Sequence, residues 1–257
     1  MITLATWNIN SVKARIDVVT AWLDKNKPDV VLLQEIKCTD EMFPTLAFTA
    51  AGYHSVFKGQ PSYNGIAVLS KQPVEVIASA LPGDEADTQA RFLDVAFGEY
   101  RFINVYAPNG NPLGSEKFAY KLAWLRRLRA YTRDLLDRRV KFLIAGDYNI
   151  IPTDADAKHP DNWLEDALFQ PEAQAEWRAL VNLGLADAFR ILHPHGKEYT
   201  FWDYQAGAFQ RNSGIRIDHV LLSPVLTDKL KAAHIDKEPR GWDKPSDHTP
   251  LVIELDL

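Results

Sequence analysis

Four apolar runs in this chain each lie next to an acid or an amide, at a point where a solvent-facing loop should begin or end. Leu4–Trp7 runs into Asn8 and Asn10, Val30–Leu33 into Gln34 and Glu35, and Phe142–Ala145 into Gly146, Asp147 and Asn149. Ser246, Asp247 and His248 precede the last of the runs. Asp218 stands inside IRIDHVLL, where a carboxylate is costly unless it is paired or hydrogen-bonded. Carboxylates and amides are the hard-oxygen donors that Mg²⁺ prefers. With a histidine nearby, such a set can hold a cation, activate a water and stabilise charge growing on a phosphate. Each residue alone has a plainer reading. Glu35 is an ordinary surface acid, Gly146-Asp147 a turn, Tyr106 a half-buried strand tyrosine, and Phe201 and Trp202 core aromatics. Their joint occurrence points to a site.

The elements that must position these residues alternate. Ile2–Trp7 reads as a strand, and Ser11 as the N-cap of a helix carrying Val12, Ile16, Val19 and Leu23 on one face, ended by Pro28. Asp29–Gln34 and Val140–Ala145 are continuously apolar, as in strands buried on both faces. Gly65–Ser70, Arg91–Phe97, Arg101–Tyr106, Ile215–Leu222 and Leu251–Leu255 are further strands. Ser115–Arg139 is the longest helical pattern, and Glu172–Leu183 is a helix closed by Gly184. Alternate strand residues share a face, so Asn8 and Asn10 can point together, as can Asp147 and Asn149. Tight strand-to-strand connections among the crossovers predict a mixed sheet system, and with no linker or repeat one α/β domain spans residues 1–257.

The blocks ATWNIN, LQEIK, YNGIAVLS, NVYAPNG, GDYNI, YTFWDY, GIRIDHVLLS and PSDHTPLV follow one another in an order and spacing that resembles the exonuclease III family. That family is part of the endonuclease/exonuclease/phosphatase superfamily, and the match runs from Thr6 to Val252. The resemblance implies a DNase I-like four-layer α/β sandwich, with two mixed β-sheets packed face to face and helices outside. It implies Glu35 as the principal metal ligand, with Asn8 and Asp247 contributing, and Mg²⁺ as the cofactor, with Mn²⁺ able to substitute. Asp147 would orient or deprotonate the attacking water, and Asn149 would hydrogen-bond the phosphate or that water. His248, steered by Asp218, would face the scissile phosphate, and Tyr106 would lie against it as a donor or as a phenolate-like partner. Adjacent strand side chains diverge, so Asp247 cannot orient His248. Lys37, near the metal site, and Asn10 are expected to bind substrate, and Phe201 to lie against a flipped-out abasic sugar, with Ile215 and Ile217 as weaker pocket candidates. Strand alternation opposes Ile217 to Asp218, so a shared pocket needs a local twist. Lys58, Tyr63, Asn64, Arg91, Arg211 and Arg216 are expected DNA contacts. Asn10 stands where relatives of the human type carry aspartate, and Ile215 where they carry a bulkier aromatic. The segments Trp163–Pro171 and Asn111–Ser115 depart from the best-known members.

At 46% hydrophobic and 25% charged, the composition is that of an ordinary globular chain. Its formal net charge of −5 disfavours indiscriminate coating of nucleic acid but leaves room for a local basic patch. A single cysteine, Cys38, allows no internal disulfide, and MITLATWNIN has no signal or anchor pattern, so a cytoplasmic location is expected. His193 and His195 form an H-x-H without a third ligand, and no G-x-S-x-G or P-loop occurs. The expected activities are AP-site incision, 3′-end cleaning and 3′→5′ exonuclease action on double-stranded DNA with abasic sites, nicks or blocked 3′ ends. The expected enzyme is a monomer acting away from membranes. Rival readings are a superfamily phosphodiesterase acting on an inositol phosphate or phospholipid headgroup, and a non-catalytic DNA-binding relic. The relic predicts loss of Glu35, Asp147, Asn149 or His248, and all are present.

Overall fold

The computed structural model describes residues 1–257. Strands β1 (Ile2–Asn8), β2 (Val30–Gln34), β3 (His54–Lys58) and β4 (Ile66–Ser70) form most of the first sheet; β5 (Glu75–Ala78), β6 (Phe92–Phe97), β7 (Tyr100–Tyr106) and β8 (Lys141–Asp147) form most of the second. The second sheet is completed by β9 (Ala186–Asp187) and β10 (Asp218–Leu222), and the first by β11 (Leu230–Ile235) and β12 (Leu251–Leu255). Their orders are β11-β12-β1-β2-β4-β3 and β5-β6-β7-β8-β10-β9. Each sheet is antiparallel except for one central parallel pair, β1 with β2 and β7 with β8. A parallel pair needs a crossover. Here α1 (Val12–Asn26) and α3 (Glu116–Asp137) supply the two crossovers. The remaining helices are α2 (Thr45–Ala50), α4 (Pro171–Val181), α5 (Ala188–Leu192) and α6 (Pro224–Thr227).

Alternation along the buried strands divides the core into layers. Leu4, Val30, Leu32, Leu93, Phe102 and Leu143 meet between the sheets. The opposite face of the first sheet, with Ala5, Trp7 and Leu33, packs against α1 through Val19, Trp22 and Leu23. The outer face of the second sheet packs Ile103, Val105 and Ile144 against Trp124 and Leu128 of α3 and Trp177 of α4. This is the expected four-layer sandwich of two mixed sheets with helices outside. No helix is long and apolar enough to cross a membrane.

Local expectations hold closely where burial dictates the pattern. Ser11 caps α1, accepting from the Ala14 amide, and Ser115 caps α3. The predicted strand Ile215–Leu222 instead starts at Asp218. Upstream, Ile215 pairs with Ala157 and Phe201 as isolated bridges, and the Arg216 amide donates to Asp156 O at 2.8 Å, so the chain has left the sheet. Strands β3, β5 and β11 escaped the sequence reading because they are partly exposed and lack a clean alternation.

Candidate active site

The two parallel pairs carry their C-terminal ends to one edge of the sandwich. In the registers, Asn8 lies opposite Gln34, and Asp147 lies between Tyr106 and Asp218. The sheets are tied together just below this edge by buried amides. Gln34 Nε2 donates to Asn104 Oδ1 at 2.8 Å and to Thr6 Oγ1 at 3.0 Å, while Asn104 Nδ2 donates to Leu33 O at 3.0 Å and Ala67 O at 2.8 Å. Gln34 is thus a spacer between sheets and not part of the chemistry. Gly146 is required by close approach, because a Cβ there would lie 1.8 Å from Val105 O.

A cavity of about 300 Å³ opens at this edge, and Glu35, Tyr106, Asp147, Asn149, Asp247 and His248 line it. Asn8 Nδ2 bridges two of the acids, donating to Glu35 Oε1 at 2.9 Å and Asp147 Oδ2 at 3.0 Å. Tyr106 OH donates to Glu35 Oε1 at 2.7 Å, and Lys37 Nζ lies 2.8 Å from Glu35 Oε2. Burial pushes the Glu35 carboxyl up, but the charge of Lys37 and hydrogen bonds from Asn8, Lys37 and Tyr106 outweigh it and leave the group below its ordinary value. Burial and the neighbouring Glu35 and Asp147 carboxylates push the Tyr106 phenol well up, so it is a donor and not a phenolate. His248 Nδ1 meets Asp218 Oδ2 at 2.8 Å, and His248 Nε2 lies 3.9 Å from Asp147 Oδ2. Burial opposes the imidazolium, yet the charge and hydrogen bond of Asp218, with Asp147 and Asp247, raise His248 to about 10. Burial, reinforced by the Asp218 charge, raises Asp147 above the usual carboxylate range against the pull of His248 and Asn8. In its carboxylate form Asp147 can accept a proton, and the charged His248 beside it can donate one.

A model of the endonuclease/exonuclease/phosphatase family matches residues 5–248, nearly the whole chain. The chain belongs to that family. It is 37% identical to exodeoxyribonuclease III of Haemophilus influenzae, over 97% of this chain and 98% of that one. An AP endonuclease from Archaeoglobus fulgidus superposes with a TM-score of 0.96 at 36% identity, covering both chains completely. A Neisseria 3′ phosphatase, NExo, solved with a product DNA hairpin, superposes at 0.94 with 38% identity, again over both whole chains.

On this endonuclease/exonuclease/phosphatase scaffold, many of the expected residues line three neighbouring cavities that share wall residues. Asn10 accepts from Lys37 Nζ at 2.7 Å and donates to Asp247 Oδ1 at 3.1 Å, linking the lysine that pairs with Glu35 to Asp247. Phe201 and Ile217 line the central cavity, and Ile217 shares it because the chain is irregular until β10 begins at Asp218. Asp218 itself sits behind His248. Tyr63, Asn64 and Arg91 line a second cavity of about 530 Å³ that shares Tyr106 and Asn109 with the first. Arg211 lines a third, of about 280 Å³, sharing Trp163, Asp166 and Asp203. Lys58 is outside these cavities, donating to Ser79 O at 2.8 Å.

Two expectations are corrected. Arg216 is 1% exposed, held by Asp156 and Asp187 at 2.8 Å each, so it braces the fold and does not reach DNA. Ile215 is buried behind the pocket wall against Ile151, Leu168 and Phe169 and does not line the pocket. Conversely, Asn109, Trp163, Asp166 and Asp203 line the cavity without having been singled out. Asn109 and Asp203 had a signal in the blocks NVYAPNG and YTFWDY, and Trp163 and Asp166 lie in the divergent segment Trp163–Pro171.

The family scaffold also holds strained backbone here. Glu35 (φ +53°), Lys37 (φ +51°) and Asn149 (φ +51°) all adopt left-handed conformations, each costing about 1 kcal/mol or more for residues with a Cβ. Local hydrogen bonds enforce them, including Ser11 N–H to Glu35 O at 2.7 Å and Lys37 N–H to Asn64 O at 2.9 Å.

The donor set fits a divalent cation. The cavity acids Glu35, Asp147, Asp166, Asp203 and Asp247 outnumber the cations Lys37 and His248, an excess of negative charge that a divalent ion would offset. Glu35 and Asp247 bring carboxylate oxygens to the cavity, while Asn8 turns its amide nitrogen to Glu35 and Asp147 and would offer its oxygen to a cation only after the amide turns over. The competing location is Asp147–Asp218–His248, whose ligand atoms lie within 4.8 Å and where Asp218 Oδ1 has no donor. A cation bridging Asp218 and His248 would have to displace the proton they share.

Proposed function

We propose that this protein is a metal-dependent DNA repair phosphodiesterase of the exonuclease III type, working as a monomer through one domain. The carrying observation is that Glu35, Tyr106, Asp147, Asn149, Asp247 and His248 line one cavity although they come from four separate segments. The named relatives support the substrate: an exodeoxyribonuclease III, an AP endonuclease and a 3′ phosphatase with bound DNA product. The neighbouring cavities support a polymeric substrate over an inositol phosphate. Arg91 and Lys117 stand at one end and Arg211 at the other, so a backbone can track from cation to cation through the acidic centre.

Mg²⁺ (with Mn²⁺ as a substitute) is the cation proposed for Glu35, Asp247 and Asn8, and when bound it supplies Lewis-acid stabilisation of the phosphate. The chain's own groups do the rest. Asp147 takes the proton of the attacking water; its Oδ1 is held by the Asn149 amide at 2.8 Å. One hydrogen of Asn149 Nδ2 is used on Ala107 O at 2.9 Å, and the other serves the water or the phosphate. His248, kept charged by Asp218, and the Tyr106 phenol, once its single hydrogen turns away from Glu35, donate to phosphate oxygens as negative charge grows there. Phe201, Ile217, Leu168 and Trp163 form an apolar wall that suits a base-free deoxyribose, which supports abasic-site incision beside 3′-end cleaning and 3′→5′ exonuclease action.

One assay separates the alternatives. Purified protein is incubated with an abasic-site duplex, a 3′-phosphate duplex and an inositol phosphate, each with Mg²⁺ and with EDTA. Cleavage of either duplex, abolished by EDTA, is the expected result, and the ratio of products ranks the activities. Turnover of the inositol phosphate alone would contradict the proposal.

A further inference from the structure

Lys121 lies on α3 outside the catalytic cavity, and none of its surface is exposed. All its ammonium hydrogens go to backbone carbonyls: Asn109 O at 3.0 Å, Asn149 O at 2.5 Å and Ala167 O at 3.1 Å. An apolar side chain would fill such a tunnel without the cost of burying a charge, so the charge calls for a role beyond packing. The three carbonyls belong to three segments that form the site. Asn109 is on its rim after β7. Asn149 is the left-handed residue after β8 whose N–H holds Asp147 Oδ1 at 2.8 Å. Ala167 precedes the pocket residue Leu168, and its N–H donates to Asn111 Oδ1 at 3.0 Å. Passage of the stem depends on Gly110, where a Cβ would come within 2.7 Å of Lys121 Cδ.

We infer that Lys121 is a positioning residue for the reaction, pinning the Asn149 turn, and through it the Asp147 carboxylate, in register with the Leu168 wall. Burial draws the ammonium down to about 7, while Asp147 and Asp166 favour its charged form. Only that form has three hydrogens for three acceptors. The inference rests on the nuclease reading for its kinetic test but has a readout independent of it.

Wild type and Lys121→Met are compared on the abasic-site duplex with Mg²⁺, with kcat normalised to folded protein. Amide hydrogen exchange at Asn149 and Ala167 is measured without DNA or metal. The variant is expected to lose about 10–100-fold in kcat, with KM changed by less than about threefold, because slight misplacement of a catalytic group affects the transition state most. Both amides should exchange faster, and Lys121→Arg should recover part of the rate. Wild-type kcat with unchanged exchange at both amides would overturn the inference, whatever the melting temperature. Should Lys121→Met fail to fold, Lys121→Gln is judged by the same two readouts. A wild-type protein inactive on DNA would sink the nuclease reading and leave hydrogen exchange to decide the role of Lys121.

Discussion

At the residue scale, the proposed stabilisation of the transition state depends on the charge state of His248. Its raised value means that the charged form persists below about 10 and is lost as pH rises through that value. In ¹⁵N NMR, the His248 imidazole should remain doubly protonated at pH 8, and in Asp218→Asn it should titrate well below the wild-type midpoint. A neutral ring at pH 8 in the wild type would remove His248 as a donor. At this scale, much was legible: the acids and amides at strand ends followed from residue type, and Asp218 as the partner of His248 from the family resemblance. Arg216 was not. Its location next to a pocket strand suggested a DNA contact, and only packing reveals that Asp156 and Asp187 enclose it. Lys121 was equally hidden, since a lysine on a long helix reads as a solvated one.

Arg216 matters instead at the scale of elements. It joins Asp156 of the loop after β8 to Asp187 of β9, and Arg190 of α5 pairs with the same Asp156. Removing one partner from such a buried pair costs about 3–5 kcal/mol, so Arg216→Met should lower the unfolding free energy by that order in denaturant melts. The same network sets acid stability. Burial would raise the Asp156 and Asp187 carboxyls, but Arg216 outweighs it and both lie below their ordinary value. Their contribution is therefore fully present above the unfolded carboxylate value of about 3.9 and disappears as pH falls through the lower folded values. In Arg216→Met the two folded-state values should move back up, so the part of the acid-induced loss that these carboxylates cause should shrink; an undiminished acid dependence would contradict this account of the brace. The strands that build the central edge were readable because burial on both faces leaves a continuous apolar run. The start of β10 was not, because the long-range bridges of Ile215 to Ala157 and Phe201 decide it.

At the scale of the whole molecule, an acidic chain of net charge −5 is proposed to bind a polyanion through cations at the two ends of an acidic trough. Arg91→Ala should therefore weaken DNA binding at low salt and lessen the slope of log K against log salt by about one. An unchanged slope would remove Arg91 from the path of the backbone. The sandwich could be anticipated from the order of the motif blocks, whereas the adjacency of three cavities could not, since it arises where loops from both sheets meet. The central claim is that Glu35 holds the cation while Asp147 handles the proton. It is tested most directly by the Mg²⁺ dependence of abasic-duplex cleavage in wild type, Glu35→Gln and Asp147→Asn. Glu35→Gln should raise the Mg²⁺ concentration for half-maximal rate at least about tenfold. Asp147→Asn should cut the maximal rate by about 10²–10⁴-fold with little change in that concentration. An unmoved midpoint in Glu35→Gln, with a large shift in Asp147→Asn, would place the ion among Asp147, Asp218 and His248 and contradict the account.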